Sequence, residues 1–299
     1  MRRSYLTLVA VCTFWGTIPL IVRNVHLAAA AIVSVRLWVA AAGLGVALIV
    51  QRRQGRTGER PRLLAFRPGW CLAAGAVLAA HWVCLFAAYR RAPAGTVILI
   101  VYLAPVGIAA LAPRLLGERL TRRALMALAI ATAGFVLVAA PALDSTSSAG
   151  LLLAGAAAAL FVVLVVLSKP LAEAYGGLAL AFMEMSGAGL LLVPVAALTA
   201  WGSPQPSWWW LIVLGLAHTA LGTGLYLGAL GRVPATHVGI LGYLEPASVV
   251  VCGWLFLGQS PSVATGAGGA MIVAAGLLVL SVRTAEDLEA EEVVAPVRS

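Results

Sequence analysis

Ten apolar stretches, each close to the length of about twenty residues needed to cross a hydrocarbon core, succeed one another along the chain. They lie at 4–22, 28–50, 69–88, 93–113, 121–140, 149–167, 177–200, 208–230, 234–256 and 261–281. Lipid offers backbone groups no water, so a spanning segment satisfies its own hydrogen bonds as a helix or joins a closed barrel. These runs lack the alternation of a barrel strand, and an all-α integral membrane protein with ten transmembrane helices is expected. Composition agrees. Of 299 residues, 62% are apolar and 10% charged, with a mean hydropathy of +1.00, whereas soluble domains are roughly a quarter charged. Met1-Arg2-Arg3 ahead of the run to Val22 imitates a secretory signal. The run is long for one, however, and similar segments follow it.

A net charge of +9 ordinarily suggests nucleic acid or an acidic partner. Here the basic residues fall in the short breaks between apolar runs, which makes them a topology signal. With the N-terminus inside, sixteen of the twenty Lys and Arg residues fall on the inner face, among them Arg52, Arg53, Arg56, Arg60, Arg62, Arg67, Arg114, Arg119, Arg122, Arg123, Lys169, Arg232 and Arg298. Arg23, Arg90 and Arg91 fall outside, and an even helix count puts both termini in the cytoplasm. The tail after Arg283 is acidic and reads as a solvated, flexible end. Cys12, Cys71, Cys84 and Cys252 have no metal or redox spacing and read as buried packing residues.

An internal repeat recurs at a spacing of 141 residues. The fifteen residues Arg91 to Pro105 align without a gap on Arg232 to Pro246, with seven identities that include both prolines, the arginine and the tyrosine. The register persists to Leu116-Gly117-Glu118 against Leu257-Gly258-Gln259. It joins the fourth span to the ninth, so each half holds five helices and the second half is inverted. Residues 1–143 form the first half, 144–283 the second and 284–299 the tail. Inverted halves supply two nearly equivalent conformations, one open to each side, with a solute site where the halves meet.

Phe14-Trp15-Gly16, Arg36, Leu116-Gly117-Glu118-Arg119-Leu120-Thr121 and Tyr243-Leu244-Glu245-Pro246, in that order across ten spans, resemble the patterns of the EamA-type transporters of the drug/metabolite transporter superfamily. The resemblance covers nearly the whole chain. It implies a ten-helix basket in the inner membrane, a central cavity lined by spans of both halves, and export of amino acids or other metabolites. Gln259 departs from the pattern, standing where the family usually repeats a Gly-Glu.

Charges at membrane depth face a cavity or a partner and mark function by default. Arg36 either reaches the cavity to hold a substrate carboxylate, pairs with a carboxylate on another helix, or snorkels to the outer interface. Glu184 and Glu245 are candidates for taking up a proton on one side and releasing it on the other, while a helix-to-helix hydrogen bond explains Glu184 equally well. His81 is a possible proton relay or a neutral ring bonded to a neighbouring helix, as is His218. His26 and His237 lie near span ends and read as interfacial. Tyr102 and Tyr243, repeat mates before Pro105 and Pro246, line the cavity in pseudosymmetric positions if the prolines open the helices there. Trp15, Trp38 and Trp82 offer aromatic walls, while Trp201 and Trp208-Trp209-Trp210 read as an interfacial belt. Gly222, Gly224 and Gly228, and Gly266, Gly268 and Gly269, suit close helix contact.

No hydrolase elbow, phosphate loop or zinc spacing occurs, so neither an enzyme activity nor a resident cofactor or metal is expected. The reading is a secondary transporter exporting a small metabolite, with Arg36, Trp15, Trp82, Tyr102 and Tyr243 on the solute and Glu184, Glu245 and His81 as proton-coupling candidates. Partners are the solute, a possible proton, membrane lipid and a possible second copy of the chain. Efflux of lipophilic cations is the alternative within transport. A membrane-embedded enzyme acting on lipid would need clustered catalytic groups at one interface, and these groups are dispersed.

Overall fold

The computed structural model describes residues 2–55, 68–139, 147–198 and 208–294, and no strand occurs among them. The helices are α1 (Arg2–Val22), α2 (Ala29–Arg53), α3 (Pro68–Tyr89), α4 (Ala94–Val101 resumed as Ala104–Leu115), α5 (Arg122–Ala139), α6 (Ser148–Tyr175), α7 (Gly177–Leu191), α8 (Trp208–Leu230), α9 (Ala235–Gly242 resumed as Leu244–Leu257) and α10 (Val263–Val294). Among the described residues nine are long and apolar enough to span a membrane. Helix α7, at 15 residues, is the shorter one. The continuous span expected at 177–200 therefore departs from the structure: the helix breaks at Leu192, where Pro194 has no N–H to continue the ladder, and resumes only as Val193–Ala197. Residues 199–200, Arg56, Arg60, Arg62, Arg67, Arg298 and Trp201 lie outside the described residues.

Helix α6 runs past its expected end at 167 and stops at Gly176, whose φ of 77° is open to glycine. Lys169 is thereby an intrahelical residue rather than a loop charge. Helix α10 likewise continues to Val294 through the Ala, Glu and Leu residues of the acidic tail, which are strong helix formers.

The sequence repeat has a backbone counterpart. Helices α4 and α9 both begin after a proline, Pro93 or Pro234, and both break at the matched tyrosines, Tyr102 and Tyr243. In α4 the cause is Pro105, which offers no hydrogen to the carbonyl of Val101, and the next amide, Val106, turns back to Leu103. Gly117 and Gly258, also repeat mates, both adopt φ 67°.

Eight helices enclose the interior. Helix α3 packs on α6 and α7, α2 on α7 and α8, α1 on α8 and α9, and α4 on α6 and α9. Helices α5 and α10 pair beside this ring, their backbones meeting at Gly134 and Gly268. Gly177 abuts the backbone of Gly224 and Gly228, which brings α7 onto α8, whereas a Cβ at Gly266 or Gly269 would meet nothing within 4 Å. Large apolar side chains such as Leu152, Trp209 and Phe256 remain exposed, as lipid contact allows.

Candidate functional site

Two adjoining cavities, each about 500 Å³, occupy the interior. The first reaches from Val22 and Ala29, at the turn between α1 and α2, to Ser168, Leu227 and Leu230. Trp15, Arg36, His81, Trp82, Glu184, His218 and Glu245 all line it, although they come from six different helices. The second lies between α1, α3, α4, α5, α6, α8 and α9 and includes Tyr102, Pro105 and Pro246. His81, Tyr89, Tyr226 and Glu245 belong to both linings.

Arg36 is half-buried, and its Nε donates to the Thr219 hydroxyl at 3.1 Å. Its guanidinium lies 5.1 Å from the centre of the Trp82 ring, a cation–π arrangement. Among the described residues it forms no ion pair, so its terminal nitrogens have donors to offer to the cavity. Glu184, 2% exposed, accepts a hydrogen bond from the Ser168 hydroxyl at 2.5 Å. Glu245 opens the second segment of α9, with the Tyr102 hydroxyl beside its carboxyl.

The wall opposite Arg36 is built on an irregular helix. Within α8, residues Leu214–Leu221 are π-helical, a wider turn with i→i+5 hydrogen bonds that is frequent at functional sites. Thr219 donates its hydroxyl to the Leu214 carbonyl at 2.9 Å, which leaves its oxygen to accept from Arg36. The Trp15 indole donates to the His218 carbonyl at 2.8 Å. His218 stacks on Phe14 with centroids 4.0 Å apart, and its Nε2 lies 2.9 Å from the Thr17 hydroxyl. Gly222 makes room for this, since a Cβ there would sit 2.5 Å from the Trp15 nitrogen. The sequence carried no periodic signal for this segment.

His81 is buried, with Nδ1 2.8 Å from the carbonyl of Ala157 on α6. A carbonyl only accepts, so Nδ1 carries the hydrogen. Tyr243 departs from the expected cavity position: it is fully buried and lines neither cavity. Its hydroxyl donates instead to the Tyr102 carbonyl at 2.8 Å, the carbonyl the α4 break leaves without a helical partner, and meets the Thr132 hydroxyl at 3.1 Å. Phe135 packs on both tyrosine rings. His237, expected at an interface, is buried between α1 and α9 with Nδ1 2.7 Å from the Tyr5 hydroxyl. Trp38 points outward at 43% exposure, and its ring packs over Gly189. Cys12 and Cys252 are buried and Cys84 is half-buried, while the Cys71 side chain lies outside the described residues.

Below the first cavity lies an ionic cluster that sequence reasoning had treated as loop charge. Lys169 is 8% exposed and donates to the carbonyls of Leu230 (3.1 Å) and Val233 (3.2 Å). It also pairs with Glu173 at 3.0 Å and Glu118 at 3.6 Å. Glu118 Oε1 accepts the Ala235 amide at the start of α9 at 2.8 Å, and its Oε2 is buried without a partner. The available signal was the apolar run continuing through Leu171, which places Lys169 inside a helix. No group of three or more potential metal ligands occurs among the described residues.

The profile of the EamA-like transporter family matches the chain twice, over residues 2–140 and 148–281. A probable terminal-alkyne amino-acid exporter of Streptantibioticus cattleyicolor is 31% identical over 268 residues, covering 88% of this chain and 85% of that protein. An uncharacterized transporter of Bacillus subtilis is 24% identical over 233 residues, covering 74% and 75%. A solved crystal structure with 19% identity superposes with a TM-score of 0.79 over 93% of this chain and 97% of that one, a likeness of fold.

Proposed function

Because the chain belongs to the EamA-like transporter family, we propose that it is a secondary carrier that exports a small metabolite, an amino acid or a related compound, by alternating access. One observation carries this reading: Arg36, inside the membrane, is held by Thr219 and Trp82, forms no ion pair among the described residues and faces a cavity that also contains Glu184 and Glu245. A guanidinium so placed would take a solute carboxylate, and Glu245 would face an ammonium or exchange a proton. The relative named for an amino-acid substrate supports the same class. A cationic drug would have to be drawn in past Arg36, which disfavours that alternative.

The two halves are read as inverted five-helix units in the cell membrane with both termini cytoplasmic. The repeated helix breaks and the pairing of α4 with α9 and of α5 with α10 support a pseudo-twofold arrangement. In this orientation the Lys169 cluster closes the cytoplasmic end by tying Glu118 of the first half to α6, α8 and α9 of the second. The cavity then faces outward, and release of the cluster is the step that opens the inner side.

Counterflow in proteoliposomes tests the reading, with a panel of labelled amino acids, sugars, nucleosides and cationic dyes and with Glu245→Gln run in parallel. The expected result is saturable exchange of amino acids, with net uptake by the variant losing its response to a pH gradient. Exchange of dyes alone would reject the amino-acid class, and an unchanged gradient response would remove Glu245 from coupling.

A further inference from the structure

The second cavity is as large as the first but differs in polarity. Arg36, Glu184 and Thr219 line only the first. Beyond Tyr102, the far wall of the second is Ile98, Val101, Phe135, Val138, Ala139 and Val249. Glu245 and Tyr89 stand in the common lining beside Leu85 and Phe161, so the chambers adjoin at a boundary that carries polar groups, and polarity falls from one to the other. A charged head sent into the second chamber would lose its water without a counter-charge, whereas a hydrocarbon chain would gain with every methylene buried.

We infer that the second chamber is a subsite for the hydrocarbon side chain of an amphipathic solute whose carboxylate lies against Arg36 in the first chamber. This rests on the amino-acid reading above and adds what selects among amino acids. One chamber of about 500 Å³ already falls within the range of a complete small-ligand pocket. The second therefore extends the site toward solutes longer than a short-chain amino acid. Tyr102, in the α4 break, and Glu245, in the first turn after the α9 break, stand together at the boundary between the chambers, so the helix interruptions place polar groups where head and tail part. An acyl chain of the bilayer has the same chemistry as a solute tail, and the experiment separates the two.

The test uses straight-chain α-amino acids from alanine to 2-aminodecanoate as competitors of labelled norleucine counterflow in proteoliposomes, at measured free aqueous concentrations. The inhibition constant should fall roughly fourfold per added methylene, and Ala139→Phe, which fills the far wall, should flatten the long end of that series. A wild-type series whose inhibition constants stop falling past norvaline overturns the subsite, as does an unaltered slope in a folded Ala139→Phe protein. A flat series, with phospholipid retained by purified wild type and lost from the variant, assigns the chamber to a bilayer acyl chain and overturns the inference. Absence of any norleucine counterflow rejects the amino-acid reading itself. Should Ala139→Phe not fold, the wild-type series alone decides.

Discussion

Replacing Lys169 by methionine keeps the length of the side chain while removing the charge that holds four acceptors together. The pair with Glu173, whose side chain is 51% exposed, contributes little, about 0.3–0.5 kcal/mol for an i,i+4 pair. The larger effect is on Glu118, with a side chain 12% exposed and one oxygen already unpartnered. Stranding a buried charge by deleting its partner costs about 3–5 kcal/mol. The 3.6 Å separation and the surviving Ala235 amide bond favour the lower end, about 3 kcal/mol. If the cluster forms in only one of two conformations, that loss shifts their ratio on the order of 100-fold, since each 1.4 kcal/mol is a factor of ten. Leu227→Cys, at the cavity floor in a background free of the four native cysteines, reports the ratio through labelling by an impermeant maleimide from either side of oriented vesicles. Labelling from the Lys169 end should rise in Lys169→Met, and adding Glu118→Gln should restore part of the loss. A lowered melting temperature with an unchanged labelling ratio would make the cluster a brace of the fold and refute its role as a gate.

Arg36→Lys keeps the charge but loses the planar fork and its stacking on Trp82; the counterflow KM should rise roughly 10- to 100-fold, as for loss of a charge-assisted hydrogen bond worth about 1.5–3 kcal/mol. Gly177→Ala forces a methyl group into the backbone of Gly224 and Gly228 and should destabilise by about 1–3 kcal/mol. Gly266→Ala, with open space around it, should be neutral or gain up to about 1 kcal/mol in helix propensity; both are read by thermal unfolding in detergent. Tyr243→Phe strands the Tyr102 carbonyl and should lower stability by about 1–3 kcal/mol in the same assay.

The spans were legible because lipid leaves a crossing segment few choices, and the breaks in α4 and α9 because proline recurs at matched positions. Pro194 carried a comparable signal for the end of α7, but the apolar residues on either side of it concealed the interruption. Lys169 was misplaced for the opposite reason: a charge was taken to end a helix that continues to Tyr175. Cavity faces were not legible, since apolar residues surround the single membrane-depth charge on each of α2 and α7 and leave no amphipathic stripe to orient them. The π-helical turn at His218 is a tertiary product, maintained by Trp15, Thr17 and Arg36 from distant parts of the chain. Tyr102 and Tyr243 show the limit of the repeat: sequence made them equivalent, and packing gave one hydroxyl to Glu245 and the other to a stranded carbonyl.

That divergence bears on how the duplicated halves can be exchanged. Counting 141 residues along, Arg36 meets Gly177, Glu245 meets Ala104 and Glu184 meets Gly43, so none of these three charged side chains has a charged mate in the other half. Two copies of the first half would carry Arg36 twice and neither carboxylate, and two copies of the second both carboxylates twice and no guanidinium. The helix breaks at Tyr102 and Tyr243 recur from one half to the other, whereas the guanidinium and the two carboxylates at the cavity do not, so neither half alone carries the full set of charges.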